Sequence, residues 1–336
     1  MKVLKFGGTS VGTPQRMKEV AKLITDGEKK IVVLSAMSGT TNSLVEISDY
    51  LYKKNPDGAN EVINALETKY KRHINELYST EEYKNKTLAL VKDIFNGIRA
   101  FTKDIFTLFE EKVILAQGEL ISTNMVTNYL LEQGVNVVLL PALEFMRTDK
   151  NAEPDLVYIK NKLGAQLEMH PDADIYITQG YICRNAYGEV DNLQRGGSDY
   201  SASLIGAAAN ASEIQIWTDI DGMHDNDPRI VEKTSPVRQL HFEEAAELAY
   251  FGAKILHPTC IQPAKFANIP VRLLNTMEPT APGTLISNDT ELGKIKAVAA
   301  KDNITAIQIK SGRMLLAYGF LRKVFEIFES YQTSID

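Results

Sequence analysis

Lys5-Phe6-Gly7-Gly8-Thr9-Ser10-Val11-Gly12 follows a short apolar run and holds the first residues able to do chemistry. Glycines let backbone approach an anion closely, and successive N–H groups ahead of a helix carry the positive end of its dipole, so this loop suits phosphate. Lys5 would set an ammonium beside that anion and neutralise charge building on a transferring phosphoryl group. The spacing is neither Gly-x-x-x-x-Gly-Lys-Ser/Thr nor Gly-x-Gly-x-x-Gly. For Gly7-Gly8 taken alone, a plain strand-to-helix turn remains the alternative.

Further polar clusters lie downstream. Ser35 and Thr41, within Ser35-Ala-Met-Ser-Gly-Thr-Thr-Asn42, can donate hydrogen bonds to carboxylate oxygens or cap a helix beginning near Asn42. Glu119 follows Gly118 at an apolar helical face; a carboxylate entering a pocket needs a cation, which the α-ammonium of an amino acid would supply. Read locally it is a first-turn glutamate favoured by a helix dipole. Arg195, ahead of Gly196-Gly197-Ser198-Asp199, offers a rigid fork for a carboxylate, or is a surface arginine on a flexible loop. Asp199 stands where it would cap the Ala-rich helix that follows. Thr218 and Asp219 close an apolar run ending in Trp217, and the next loop passes His224 and Arg229. Lys254 reads as a lysine at a helix C-terminus, and His224 is open between stacking, hydrogen bonding and solvent. Cys183 and Cys260 have no partner at metal-ligand or redox spacing, so the spacing predicts buried small hydrophobes and no metal site.

The elements that must hold these residues are legible as alternating runs. Short β-branched segments recur at 3–6, 30–36, 136–142, 175–182, 214–220 and 271–275, separated by lengths that fit helices. That pattern predicts an α/β fold, a mostly parallel sheet covered on both faces by helices. Between 58 and 115 apolar residues step by three and four, at 62, 66, 70, 74 and 77 and again at 91, 94, 98, 101, 105 and 108, which predicts an inserted helical layer. Turn-rich sequence from Thr280 to Glu291 suggests a boundary, with a first domain over 1–292 and a short strand and helix over 293–336. One strand and one helix cannot close a core, so that second segment reads as the truncated start of an α+β module.

The chain has 336 residues and a formal net charge of −6, with 44% hydrophobic and 24% charged residues. An acidic balance argues against a nucleic-acid partner, whose phosphates need a basic face. No apolar stretch approaches membrane-spanning length and the start lacks the features of a secretory signal, so no membrane partner and a cytoplasmic location are expected.

Lys5-Phe-Gly-Gly-Thr-Ser-Val11 resembles the opening signature of the aspartokinases, within the amino-acid kinase superfamily. Val33 to Asn42, Gly118-Glu-Leu-Ile-Ser-Thr123, Gln194 to Ala202, Trp217-Thr-Asp219 with Asp227-Pro-Arg229, and Phe251 to Pro258 resemble further family motifs in the same order, so the resemblance spans Met1 to about Leu292. It implies the amino-acid kinase fold with a partial ACT-like segment behind it. The implied reaction moves the γ-phosphoryl group of ATP, with Mg²⁺, onto L-aspartate and gives 4-phospho-L-aspartate, the first step toward lysine, threonine and methionine. Lys5 and Asp199 are the implied catalytic pair, with Ser35, Thr41, Glu119, Arg195 and Ser198 on aspartate. Lys5, Gly7, Gly8, Thr9, Ser10, Thr218, Asp219, His224, Arg229 and Lys254 are implied on the nucleotide, His224 standing where the family carries a tyrosine. A homo-oligomer, a dimer, is expected. A kinase for another carboxylic acid and an inactive amino-acid sensor with the same fold are the competing expectations.

Overall fold

The computed structural model describes residues 1–336 except 104, 194–195, 228–229, 254–255, 291–293, 302–303, 311–317, 334 and 336. It opens with β1 (Lys2–Phe6), α1 (Pro14–Ile24), β2 (Lys30–Leu34) and α2 (Thr40–Tyr52), then the long helices α3 (Pro56–Leu77), α4 (Glu81–Ala100) and α5 (Leu108–Glu132). Next come β3 (Val137–Leu140), α6 (Ala142–Phe145), α7 (Leu156–Met169), β4 (Ile175–Gln179), and a hairpin of β5 (Ile182–Arg184) and β6 (Val190–Asn192). The remainder is α8 (Gly197–Ala208), β7 (Ile214–Thr218), β8 (Gln239–His241), α9 (Phe242–Tyr250), α10 (Gln262–Phe266), β9 (Val271–Asn275), β10 (Thr284–Ser287) and α11 (Phe320–Ser330).

Eight strands form one sheet in the order β3-β4-β2-β1-β7-β9-β10-β8. Every pairing is parallel except β9 with β10. The expected mostly parallel sheet is therefore present. β1 and β7 lie side by side in the middle, and the chain runs on from β1 to β2 on one side and from β7 to β8 and β9 on the other. In open α/β sheets such a reversal opens a crevice at the carboxyl ends of the strands, where ligands collect. Successive strand residues serve opposite cores: Leu4, Phe6, Val32 and Leu34 face the side covered by α1 to α5, whereas Val3, Ile31 and Val33 face α7 and α8. Burial on both faces explains why these runs are apolar without alternation.

The helical layer buries Ile63, Leu66, Tyr70, Ile74 and Leu77 of α3 against Val91, Phe95 and Ile98 of α4. The stripe stops there. Phe101–Lys103 tightens into a 3₁₀ turn, and Ile105 and Leu108 are 86% and 60% exposed, so the apolar period read through 105 and 108 overran the helix. α5 starts instead on a capping box, in which Thr107 and Glu110 satisfy each other's backbone N–H groups.

The described chain divides into a compact unit over Met1–Ala300 and a smaller one over Lys301–Asp336. Residues 296 and 298 are held within the first: Lys296 pairs with Glu244 at 2.7 Å and the Val298 N–H donates to the Asp225 carbonyl. In the second unit α11 has no buried residue, and Leu321 and Phe325 are exposed. The short strand expected within 293–336 does not form among the described residues, because an extended segment needs a neighbouring strand for its N–H and C=O groups and none of the described strands pairs with it. No helix among the described residues is long and apolar enough to cross a membrane.

Candidate functional site

The glycine loop runs from the end of β1 to α1, whose first turn is capped by Thr13 accepting from the Arg16 N–H at 3.3 Å. Gly7 N–H donates to the Trp217 carbonyl and Ser10 N–H closes a turn onto the Gly7 carbonyl at 3.0 Å. Between them, the N–H groups of Gly8 and Thr9 have no acceptor among the described residues. Two adjacent free donors ahead of a helix make an anion cradle. A Cβ on Gly8 would lie 2.8 Å from the Ala36 carbonyl oxygen, so only glycine permits this approach. Arg16 steadies the loop through a 2.6 Å bond to the Thr9 carbonyl. The Ser10 hydroxyl is buried on Thr276 Oγ1 at 2.7 Å, and Thr276 N–H donates to the Thr218 carbonyl, which ties this loop to the end of β7. Ser10 thus spends both its hydroxyl and its N–H inside the protein.

Lys5 Nζ lies 2.6 Å from Asp199 Oδ1, with both side chains largely withdrawn from water. α8 has Gly196 as its N-cap, in the left-handed region at φ 72° and with no side-chain cap. Asp199 therefore does not cap the helix as its position suggested; its carboxylate turns to Lys5. Gly196 is required twice over, because a Cβ there would also meet Cys260 Sγ. Burial pushes the Cys260 and Cys183 thiols up to about 12, so both stay inert packing groups.

A cavity of about 370 Å³ lies between these loops, lined by Gly8, Ser35, Thr41, Glu119, Tyr181 and Gly197 among others. Glu119 sits in the middle of α5 and not in a first turn, since α5 begins eleven residues earlier at Leu108. It is 5% exposed, and its Oε1 accepts the Ala36 N–H at 3.2 Å. Burial raises its carboxyl from the usual carboxylate range to about 7. Among the described residues no Lys, Arg or His pairs with it. α5 comes this close because Gly118 faces Ala36, where a Cβ would meet the Ala36 side chain at 2.8 Å. Ser35 and Thr41 do not cap α2 either: its N-cap is Gly39, with no side-chain bond. Ser35 Oγ instead donates to Ser198 Oγ at 2.8 Å, joining the β2–α2 loop to the start of α8.

Tyr181 is the cavity residue that the sequence pattern did not single out. It follows Gly180 at the end of β4 and stands at φ 66°, a strained position for a tyrosine, held by its N–H on Ser201 Oγ at 2.8 Å. The signal available was a Gln-Gly-Tyr turn at a strand end.

At the end of β7, Thr218 Oγ1 donates to Asp219 Oδ1 at 3.1 Å, and the Asp219 side chain is exposed. His224 is held in its own loop: Nδ1 lies 2.8 Å from Thr234 Oγ1 and the residue bridges to Pro236. Arg195, Arg229 and Lys254 lie outside the described residues. No group of three or more His, Cys, Asp or Glu side chains able to hold a metal occurs among the described residues. A second cavity, of about 380 Å³, lies between α9 and residues 294–299 and includes none of the loops above.

The amino acid kinase family model matches residues 1–275. The chain belongs to the amino acid kinase family. It is 37% identical over 347 residues to Aspartokinase 1, chloroplastic, of Arabidopsis thaliana, covering 99% of this chain and 60% of that protein. It is 34% identical to lysine-sensitive aspartokinase 3 of Escherichia coli, covering 99% of this chain and 75% of that one. E. coli aspartokinase III in complex with aspartate and ADP, in its R-state, superimposes with a TM-score of 0.85 at 32% identity, over 100% of this chain and 75% of that chain. The same enzyme with lysine and aspartate, in its T-state, gives 0.79 at 31% identity, over 100% and 76%. The chain thus spans well under two thirds of the length of the Arabidopsis relative.

Proposed function

We propose that the chain is an aspartate kinase, transferring the γ-phosphoryl group of MgATP to the side-chain carboxylate of L-aspartate. The observation that carries this reading is Glu119, a buried carboxylate with no cation among the described residues, facing a cavity that Gly8 also lines. Burying an unpaired carboxylate is costly unless a ligand brings the charge that completes it. A ligand with an ammonium group supplies that charge, and E. coli aspartokinase III, of the same fold, binds aspartate in both of its states.

In this scheme the free N–H groups of Gly8 and Thr9, with Gly7, cradle the polyphosphate, and Ser10 fixes the loop. Lys5 neutralises charge on the transferring phosphoryl group, and Asp199 aims its ammonium. Thr218, Asp219, Arg229 and Lys254 serve the nucleotide, with His224 shaping the loop between them. Glu119 takes the substrate ammonium, Arg195 its α-carboxylate, and Ser35, Ser198 and Thr41 the remaining oxygens. No general base is required, because the acceptor carboxyl, with a reference pKa of about 3.9, is already ionised at neutral pH. One carboxylate oxygen attacks the γ-phosphorus in line, the bond from that phosphorus to the bridging oxygen breaks, and ADP leaves. Magnesium enters as part of the nucleotide substrate.

The same reading takes residues 1–292 as the catalytic domain and 293–336 as an ACT-like regulatory segment, in a cytoplasmic homodimer. Trapping the acyl phosphate with hydroxylamine tests the reaction. Aspartate should give hydroxamate and ADP together, whereas N-acetylglutamate, which lacks the ammonium, should give neither. Hydroxamate from N-acetylglutamate alone would overturn the proposal.

A further inference from the structure

The loop from β2 to α2 is a wall of the cavity, and its start is fixed to the glycine loop: Ser35 N–H donates to the Phe6 carbonyl at 3.2 Å and Ser38 N–H to the Gly8 carbonyl at 3.1 Å. Its far end has only a backbone turn, Thr40 N–H onto the Met37 carbonyl at 3.0 Å, and no side-chain cap among the described residues. Gly39, the N-cap of α2, is left-handed at φ 81° and offers no side chain to the orphan N–H groups of the first turn.

Two consecutive residues of α3 supply the anchor. Lys69 Nζ donates to the Ser38 carbonyl at 3.0 Å, and the buried Tyr70 hydroxyl lies 2.8 Å from Thr40 Oγ1 on the first residue of α2. Local electrostatics do not favour that lysine. It stands near the positive end of α2, burial and the neighbouring Arg72 lower its pKa, and no carboxylate pairs with it among the described residues. Its hydrogen bond among the described residues is to the carbonyl of Ser38, the residue whose N–H donates to the Gly8 carbonyl.

We propose that Lys69 and Tyr70 are positioning residues for the phosphoryl transfer: from the helical layer they set the distance between the glycine loop and the amino-acid cavity. The inference rests on the kinase reading above and assigns α3 a part in it. Lys69 holds the carbonyl of Ser38, the residue whose N–H bonds the Gly8 carbonyl, and Tyr70 fixes the first turn of α2, which carries Thr41 into the cavity wall. A shift of the loop would move the phosphate cradle and the acceptor pocket relative to each other, and misplacement by about 1 Å costs on the order of a hundredfold in rate.

The test compares Lys69→Met, Lys69→Arg and Tyr70→Phe by steady-state kinetics with MgATP and L-aspartate, alongside thermal unfolding. Lys69→Met should lower kcat/KM for aspartate about tenfold while leaving Tm unchanged or raised, since a half-buried cation is removed. Lys69→Arg should restore most of the loss. Tyr70→Phe keeps the packing and should lose about threefold, and the double variant should lose less than the product of the two because both act on one loop. Wild-type kcat/KM in both Lys69→Met and Tyr70→Phe would overturn the inference, as would a Lys69→Met loss that Lys69→Arg does not rescue. A wild-type protein making no acyl phosphate overturns the kinase reading alone. The tether is then read by calorimetric binding of MgADP, expected about threefold weaker in Lys69→Met. Equal affinities there would overturn the tether.

Discussion

Lys5 and Glu119 are charged side chains withdrawn from water beside the same glycine loops, and the chain treats them in opposite ways. Lys5 is already matched, with Asp199 at 2.6 Å. Glu119 has no cationic partner among the described residues and a carboxyl that burial raises to about 7. A charge needed in the transition state gains from being aimed before the ligand arrives, because preorganised groups need no rearrangement during reaction. A charge needed for recognition gains from being left incomplete, because a ligand lacking the complementary group then leaves a buried charge unpaired. The difference teaches which end serves chemistry and which serves selection.

The largest effect should come from Lys5. Lys5→Ala should lower kcat about a thousandfold and change the aspartate KM little, as expected for a group used chiefly in the transition state. Equal, modest changes in kcat and KM would place Lys5 on the recognition side and erase the contrast. Next, Gly8→Ala drives a methyl group against the Ala36 carbonyl; MgATP turnover should fall about a hundredfold, with a stability loss of about 1–3 kcal/mol by thermal unfolding. Unaltered turnover would show that the loop does not approach the phosphates.

Glu119→Gln should weaken aspartate binding about tenfold by calorimetry and leave MgADP binding unchanged. The pH dependence sharpens this. With the folded carboxyl raised above its unfolded value of 4.5, the stability it contributes is complete below about 4.5 and is lost as pH rises through about 7. The free protein should thus lose Tm across that window while aspartate binds more tightly, and Glu119→Gln should flatten both trends. The smallest effect is expected at His224: with Nδ1 engaged on Thr234, His224→Ala should cost about 1 kcal/mol of stability and less than about threefold in the ATP KM.

How much of this was legible in the sequence depended on how far each signal reached. Strands buried on both faces, such as Ile31–Leu34, read as apolar runs and were found. The short β5, β6, β8 and β10 carry too few residues to show a period, and β8 is added at the sheet edge by pairing with β10, which itself pairs with β9. Glu119 was recognisable as a pocket carboxylate but was misplaced at a helix start, because Gly118 looked like a break. The start was encoded upstream, in Thr107 and Glu110. Asp199 looked like a cap because helix entrances favour aspartate. Its pairing with Lys5 spans the fold and leaves no local trace. The Lys69–Ser38 contact was invisible for the same reason, since tertiary neighbours alone create it, whereas Tyr181 left only the weak signal of a Gln-Gly-Tyr turn.

The most direct test of the central claim is titration calorimetry of L-aspartate at about pH 6.5 in two buffers of different ionisation enthalpy. If the substrate ammonium settles on Glu119, binding ionises that carboxyl, and the wild-type protein should release most of a proton while Glu119→Gln releases none. Identical heats in both buffers for the wild-type protein would contradict the account.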